Sequence, residues 1–334
     1  MSITVIDVAK EAGVSRTTVS NVFGGRAKYS DETRAAVLAA AEKLGYKPNL
    51  AARSLITNQS RLIGLILPSY VDTNTLANNP FYNIIMDSIY AVLRDEAYYD
   101  LLIFSVPYQE TQSQIRDRIE TRNVDGILAI GEYDQNFLRY LESKAIPVIM
   151  IDNYSQEKYE NFSYINSDDE TGGYLATRQL IANGYKKIGL CTLDLASPLM
   201  QKRIDGYQNA IQESGYQTCI FDRTGSPFDA GIRFADWLFA HHFDAAFCTE
   251  DMVAVGVLHR MLRLGVSVGK EFGLIGFDNI LIGTQVNPEL TTVDQRIYEK
   301  GATATKTLLD SLKKKSSLGS RLILPVDLVS RETA

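Results

Sequence analysis

The sequence predicts an α/β protein in which a small all-α unit precedes a two-lobed core of doubly wound parallel sheets. Three observations carry that expectation. Short helical patterns punctuated by glycine fill the first fifty or so residues, apolar strand segments alternate with helical ones from Ile63 onward, and the charge divides at the same place. The 334 residues hold 34 Lys+Arg and 40 Asp+Glu, a formal charge of −6. A chain of that length suggests two or three domains and has ample material for a core. Residues 1–60 contain eight basic and five acidic residues, a net +3, so the remainder stands at −9. The acidic average argues against a nucleic-acid partner, but the basic first segment does not share it.

Each helix of that first segment has a start signal. Thr4-x-x-Asp7 forms a capping box ahead of Val5, Val8, Ala9 and Ala12, and Gly13 stops the helix. Ser15 caps a second helix that turns Val19 and Val22 inward. Ser30 caps a third, with Val37, Leu38, Ala41 and Leu44 as its buried stripe and Gly45 at its end. Two helices joined by a tight glycine turn make a helix-turn-helix. The pattern alone fits either DNA binding or a three-helix bundle without a ligand.

The core strands are predicted at Ile63–Pro68, Leu101–Val106, Gly126–Ile130, Val148–Asp152 and Phe162–Asn166, then at Ile188–Leu193, Thr218–Asp222, Ala245–Thr249 and Gly273–Asp278. Near-continuous apolar runs between helices mean buried parallel strands. The total exceeds one simple sheet, so two lobes are expected, divided near residues 163–166 and completed by residues 291–295 and 321–331. Ligands of such sheets bind at the carboxyl ends of the strands. Asp152, Glu250, Asp251 and Asp278 fall there, and Arg203, in Arg203-x-x-Gly206-Tyr207, opens a helix. Carboxylates and guanidinium offer paired acceptors and donors that match neighbouring ring hydroxyls, while Phe81, Tyr82 and Phe228 supply apolar faces. Helix N-caps or hinge salt bridges are the structural alternative for each carboxylate. Asp168-Asp169-Glu170 reads as the cap of the helix through Tyr174 and Leu175.

The run Ile6-Asp7-Val8-Ala9-Lys10-Glu11-Ala12-Gly13-Val14-Ser15-Arg16-Thr17-Thr18-Val19-Ser20 resembles the start of lactose-repressor/galactose-repressor (LacI/GalR) family regulators. So does Leu44-Gly45-Tyr46-Lys47-Pro48-Asn49-Leu50-Ala51-Ala52-Arg53-Ser54-Leu55, and the similarity continues through the whole chain. The resemblance implies a DNA-binding headpiece at 1–48, a hinge helix and linker at 49–60, and an effector-binding, dimerising core at 61–334 of the periplasmic-binding-protein type. In a helix-turn-helix the second helix enters the major groove. Arg16, Thr17 and Asn21 lie opposite Val19 and Val22 and are the base-reading candidates, each good pair discriminating by roughly 1–3 kcal/mol. Family members commonly carry Arg where Asn21 stands, so the operator sequence does not transfer. Ser15, Ser30, Thr33 and Arg34 suit phosphate contacts that position without specifying sequence. A short helix over Leu50–Thr57 needs DNA or a partner to fold. In the family it drives a leucine between minor-groove base steps; Leu55 matches it, beside Ala52 and Arg53. By motif Arg203 and Asp278 match the family's effector contacts, and Asp152, Phe81, Tyr82 and Phe228 match cleft-lining positions. Glu250 stands where many members have Asn or Ser, so effector stereochemistry does not transfer.

Enzymatic activity is not expected. The three histidines lack metal-ligand spacing, no G-x-S-x-G elbow occurs, and Gly265-x-x-x-Gly269-Lys270 misses the phosphate-loop pattern. Cys191, Cys219 and Cys248 suit neither zinc nor a disulfide framework and read as reduced core residues. No cofactor and no metal is implied. Neither a secretory signal nor a membrane-length apolar run appears, so a cytoplasmic protein with no membrane partner is expected. The partners implied are a near-palindromic double-stranded operator, a second copy of the chain and a small-molecule effector. The chain stops after its last strand without the leucine-heptad helix of tetrameric members, so a homodimer is expected. A sugar is the expected effector of a repressor of carbohydrate-utilisation genes. The alternatives are a purine or nucleoside co-repressor, or control by a phosphorylated carrier protein.

Overall fold

The computed structural model describes residues 3–24, 29–46, 60–69, 79–96, 99–107, 112–222, 225–313 and 317–334. The expected hinge helix, with Ala52, Arg53 and Leu55, lies outside them. Three helices open the chain: α1 (Val5–Glu11), α2 (Arg16–Gly24) and α3 (Asp31–Leu44). Asp7 accepts hydrogen bonds from the Thr4 amide and hydroxyl, both 2.8 Å, and Ser15 and Ser30 accept from the Thr18 and Thr33 amides. Their core is Val8, Ala9, Val19, Val37, Ala40 and Ala41. Leu38, expected in the α3 stripe, is 46% exposed. The stripe runs through Val37, Ala40, Ala41 and Leu44, and Leu38 lies about 100° off it.

From Leu62 the chain builds β1 (Leu62–Ser69), α4 (Pro80–Glu96), β2 (Asp100–Pro107), α5 (Gln112–Arg122), β3 (Gly126–Ile130), α6 (Gln135–Ser143), β4 (Val148–Ile151) and β5 (Phe162–Ser167). It then crosses into α7 (Asp169–Ala182), β6 (Ile188–Thr192), α8 (Pro198–Glu213), β7 (Ile220–Asp222), α9 (Pro227–Ala240), β8 (Ala245–Cys248), α10 (Asp251–Arg263), β9 (Gly273–Phe277) and β10 (Thr291–Asp294). The helix α11 (Ile297–Leu312) and β11 (Arg321–Leu324) return to the first lobe, and β12 (Asp327–Val329) to the second. The first division falls just after Ser167, and two later crossings pass through Gln295 and Pro325-Val326. The segment 321–331, expected to complete the lobes, forms two strands in two sheets. Pro325 lies at the crossing, where a ladder hydrogen bond is not needed.

The sheets share one order, β11-β5-β4-β3-β1-β2 in the first lobe and β12-β10-β9-β8-β6-β7 in the second. All pairings are parallel except β10 with β12. Alternate residues of each strand serve opposite faces. In β3, Leu128 and Ile130 meet the core under α4 and α11, whereas Ile127 and Ala129 meet the core under α5 and α6. The second lobe does the same with α7 and α8 on one face and α9 and α10 on the other. Within these orders β1 and β6 are the strands at which the winding reverses, the place where open α/β sheets bind ligands.

The helices α7 and α8 approach unusually closely. A Cβ on Gly206 would lie 2.0 Å from the Glu170 carbonyl oxygen, and one on Gly173 would lie 2.1 Å from that of Arg203. One turn beyond Arg203, Gly206 thus lets α8 settle against α7 and bring Arg203 to its partner there. Tyr207 ties the same helix to the sheet, donating to the Ile188 carbonyl at 2.8 Å and accepting from the Cys219 amide at 3.0 Å. Gly206→Ala is expected to force these helices apart and lower the stability by about 1–3 kcal/mol. Thermal denaturation measures this, and an unchanged midpoint would contradict the packing described.

Candidate functional site

The exposed face of α2 carries Arg16 and Thr17. Asn21 is half-buried, and its amide nitrogen donates to the Tyr29 hydroxyl at 3.0 Å. Asn21 is thus held by a tyrosine at the approach to α3, a partner that helix phase alone does not reveal. Ser15 and Ser30 are engaged as caps, Thr33 is bonded to Ser30 at 2.9 Å, and Arg34 is exposed. The core begins at a fixed point, since Asp125 accepts from the amides of Ser60 and Arg61 at 2.7 and 2.9 Å.

Between the lobes lies a chain of buried charges. Arg203, on α8, donates from Nε to Asp169 at 2.8 Å and from Nη1 to the Thr249 carbonyl at 2.6 Å. Its Nη1 is 3.6 Å from Asp278, and its guanidinium lies 3.7 Å from the centre of the Phe277 ring. Gln295, in the second crossing, donates to Asp278 at 2.5 Å and accepts from Lys300 Nζ at 2.7 Å. Lys300, fully buried on α11, completes the line with Asp152 at 2.6 Å. Two further contacts brace the first crossing. Ser167 donates to the Gln295 carbonyl at 2.9 Å, and the Tyr154 hydroxyl makes a short bond to Asp169. The line therefore begins at the end of β4 in one lobe, passes two crossings, and ends at β9 in the other.

Asp152 and Asp278 hold matching places, each following the fourth strand wound in its own lobe. Both have positive φ, 53° and 123°. Non-glycine residues pay for that conformation, and such strain gathers at functional sites. Phe81 joins the group, its ring 5.8 Å from Lys300 Nζ, and Tyr82 packs against it edge-on. Of the remaining predicted residues, Asp251 is fully buried with both oxygens engaged, by Thr292 at 2.5 Å and the Ile280 amide at 2.9 Å. That arrangement fastens α10 to β10 inside one lobe. Phe228 sits at the start of α9 with its ring 5.6 Å from that of His259, and no described contact joins it to the polar line. Glu250, at the head of α10, is half-buried, and among the described residues none hydrogen-bonds its carboxylate.

Burial governs the protonation of this site. It raises the Asp278 carboxyl to about 6 against the attraction of Arg203. It raises Glu250 to about 7, with Asp278 adding to the shift and Arg203 opposing it. Asp152 and Asp251 are also raised by burial. For Arg203 burial opposes the charge, but Asp169 and Asp278 outweigh it and hold the guanidinium above the ordinary arginine value. Burial also pushes up the Cys191 and Cys248 thiols, as expected of inert core cysteines.

Sequence reasoning missed Lys300, Gln295, Tyr154 and the role of Asp169. Lys300 did carry a signal, for it stands on the buried stripe of α11 with Ile297, Gly301, Ala304 and Leu308. A lysine in that phase needs a buried partner. In the acidic run, Asp168 caps α7 through the Thr171 amide, as expected, but Asp169 points inward to Arg203.

Carboxyls raised in the folded state bind protons more tightly there than in the unfolded chain, so they favour folding at low pH. For Asp278 and Glu250, whose ordinary values are 3.8 and 4.5, this contribution is lost as pH rises through about 6 and 7. Thermal stability is expected to carry this declining component between about pH 4 and 7, and Glu250→Gln is expected to flatten part of it. An unaltered pH profile in that variant would contradict the assignment.

Residues 4–49 match the family of bacterial regulatory proteins, lacI family, and residues 177–334 match the periplasmic binding protein-like domain. The chain is 30% identical over 339 residues to catabolite control protein A of Priestia megaterium, covering 100% of this chain and 99% of that protein. It is 30% identical over 335 residues to the ribose operon repressor of Haemophilus influenzae, covering 99% and 98%. The Lac repressor dimer bound to operator and the anti-inducer ONPF superposes with a TM-score of 0.85 at 25% identity, covering 100% of this chain and 99% of that one. The transcriptional regulator CelR, in complex with cellobiose, shares the fold, with a TM-score of 0.74 at 24% identity over 99% and 100% of the chains. A capped helix-turn-helix unit, two lobes wound alike and full-length similarity to these regulators agree: the chain belongs to the LacI family of DNA-binding transcriptional regulators and is not an enzyme.

Proposed function

We propose that the protein is a cytoplasmic repressor that binds a near-palindromic operator as a homodimer and releases or grips it in response to a sugar held between the lobes. The observation that carries this reading is the line from Asp152 through Lys300, Gln295 and Asp278 to Arg203. Asp152 and Asp278 stand at strand ends, where α/β sheets take ligands, Arg203 stands on α8, and the middle member, Gln295, stands in a crossing between lobes. A polyol touching Arg203 and Asp278 competes for donors and acceptors that otherwise join the lobes. Binding is thereby linked to how the lobes are related, and so to the spacing of the two headpieces of a dimer.

A repressor built this way needs differential affinity of its effector for two states. Moving a population from 1:99 to 99:1 takes about 5.5 kcal/mol, which is within reach of a few charge-assisted hydrogen bonds. The base-reading set proposed is Arg16, Thr17 and Asn21, with Ser15, Ser30, Thr33 and Arg34 on phosphates and Leu55, beside Ala52 and Arg53, in the minor groove. The proposed effector set is Arg203, Asp278, Asp152, Glu250, Phe81 and Tyr82, with Phe228 and Asp251 contributing through packing. The repressors named above, one for ribose and one crystallised with operator, support both halves of the reading.

Asp278→Asn and Arg203→Lys are expected to keep operator affinity within about twofold of the parent while removing its response to sugar. Fluorescence anisotropy of a labelled operator, with and without each sugar that shifts the parent protein, measures both quantities. A full response in either variant would remove that residue from the site.

A further inference from the structure

The cleft has a charge imbalance that bears on what it binds. Four carboxylates, Asp152, Asp169, Asp278 and Glu250, share it with two cations, Arg203 and Lys300. Both cations are already engaged. Lys300 is divided between Asp152 and Gln295, and Arg203 among Asp169, the Thr249 carbonyl and Asp278. Glu250 is left with no hydrogen-bonding partner among the described residues, and the charges that act on it are Asp278, which repels, and Arg203, which attracts.

A second observation stands beside it. The hydroxyls of Thr192 and Thr249 are fully buried and have no hydrogen-bond partner among the described residues. Thr192 ends β6 and Thr249 follows β8, the strands between which the winding of the second lobe reverses, and Glu250 is the next residue after Thr249. By alternation the two threonines lie on the sheet face of Leu190 and Phe247, the face covered by α7 and α8, and α8 carries Arg203. Buried hydroxyls without partners are costly and suit a ligand that brings its own polar groups.

We propose that the effector carries a positive charge beside its hydroxyls, as an amino sugar does, and that Glu250 takes its ammonium group. This rests on the reading of the cleft as the effector site. An ammonium group supplies the missing charge and three donors, enough for Glu250 and a neighbouring hydroxyl. A phosphorylated sugar would add negative charge to a site already rich in it, with both cations spoken for. A divalent metal is a poor alternative occupant, because among the described residues no three such ligands cluster closely enough to hold one. Glu250, held up to about 7 with the un-ionised Cys191 thiol also near it, should release a proton when the ammonium arrives.

The test uses the full-length protein, a panel of hexosamines, the neutral parent hexoses and their phosphorylated counterparts, with purines as a further arm. Calorimetry near neutral pH is expected to show at least one hexosamine binding about tenfold or more tighter than its parent hexose and altering operator affinity. Repeating the titration in buffers of different ionisation enthalpy should show proton release. Glu250→Gln should erase both the preference and the release while still binding operator, which verifies its fold, and Glu250→Asp should retain the preference. A neutral or phosphorylated sugar that binds as tightly as the amine, or a preference that survives in Glu250→Gln, overturns the proposal and leaves the effector site standing. Failure of every hexosamine also overturns it. If no sugar binds at all, the reading of the cleft as a sugar site falls with it.

Discussion

The structure turns on Arg203, a guanidinium removed from water at the join of two lobes. Such a charge is tolerated only where its partners are fixed, and here they come from three places: Asp169 on α7, the Thr249 carbonyl beyond β8, and Asp278 beyond β9. Each partner imposes a requirement on the fold. Reaching Asp169 requires α8 to lie against α7, which glycines 173 and 206 permit. Asp278 needs a left-handed backbone at the end of β9 and an amide from Gln295. Gln295 in turn faces Lys300, and through it Asp152 in the other lobe. A charge on one helix thus constrains both lobes and two of the three crossings.

Buried ion pairs seldom add much net stability, because desolvation offsets their attraction. Breaking them is another matter, since the partner left behind is a buried charge. That asymmetry suits a regulator. The line is a poor glue compared with an apolar core of equal volume, yet it discriminates sharply between arrangements that satisfy its members and arrangements that do not. A ligand that brings hydroxyls or charge can substitute for one partner and change which lobe arrangement is satisfied. The apolar cores behind the sheets stay intact, so the lobes can shift as bodies.

Much of the fold was legible because its signals are local. Caps at Thr4, Ser15 and Ser30, and alternating apolar strands between helices, are read from a few neighbouring residues. The error in the fold is one of phase. The sequence pattern puts Leu38 in the buried stripe of α3 with Val37, Ala41 and Leu44, although that stripe passes through Ala40 instead. Residues 321–331 complete both lobes, and Pro325 marks where the chain changes sheets within them. Of the residues brought together at the site, Asp278 and Asp152 were singled out because they follow strands, and Arg203 because it was expected to open a helix, although α8 starts earlier, at Pro198. Asp251 met the same positional test, yet its carboxylate is consumed by Thr292 and Ile280. Gln295 and Tyr154 carried no sequence signal at all, since their partners lie in other segments and only the folded topology brings them together. Lys300 was legible in principle, as a lysine in the phase of a buried stripe.

The most direct measurement of the central claim is a double-mutant cycle between Asp152→Asn and Asp278→Asn, read as unfolding free energy of the full chain. These residues lie in different lobes and are joined by hydrogen bonds through Lys300 and Gln295. A continuous line predicts that their effects are not additive, with an interaction of about 0.5–3 kcal/mol. Additivity within about 0.3–0.5 kcal/mol would mean that the lobes hold separate ion pairs and that no line joins them.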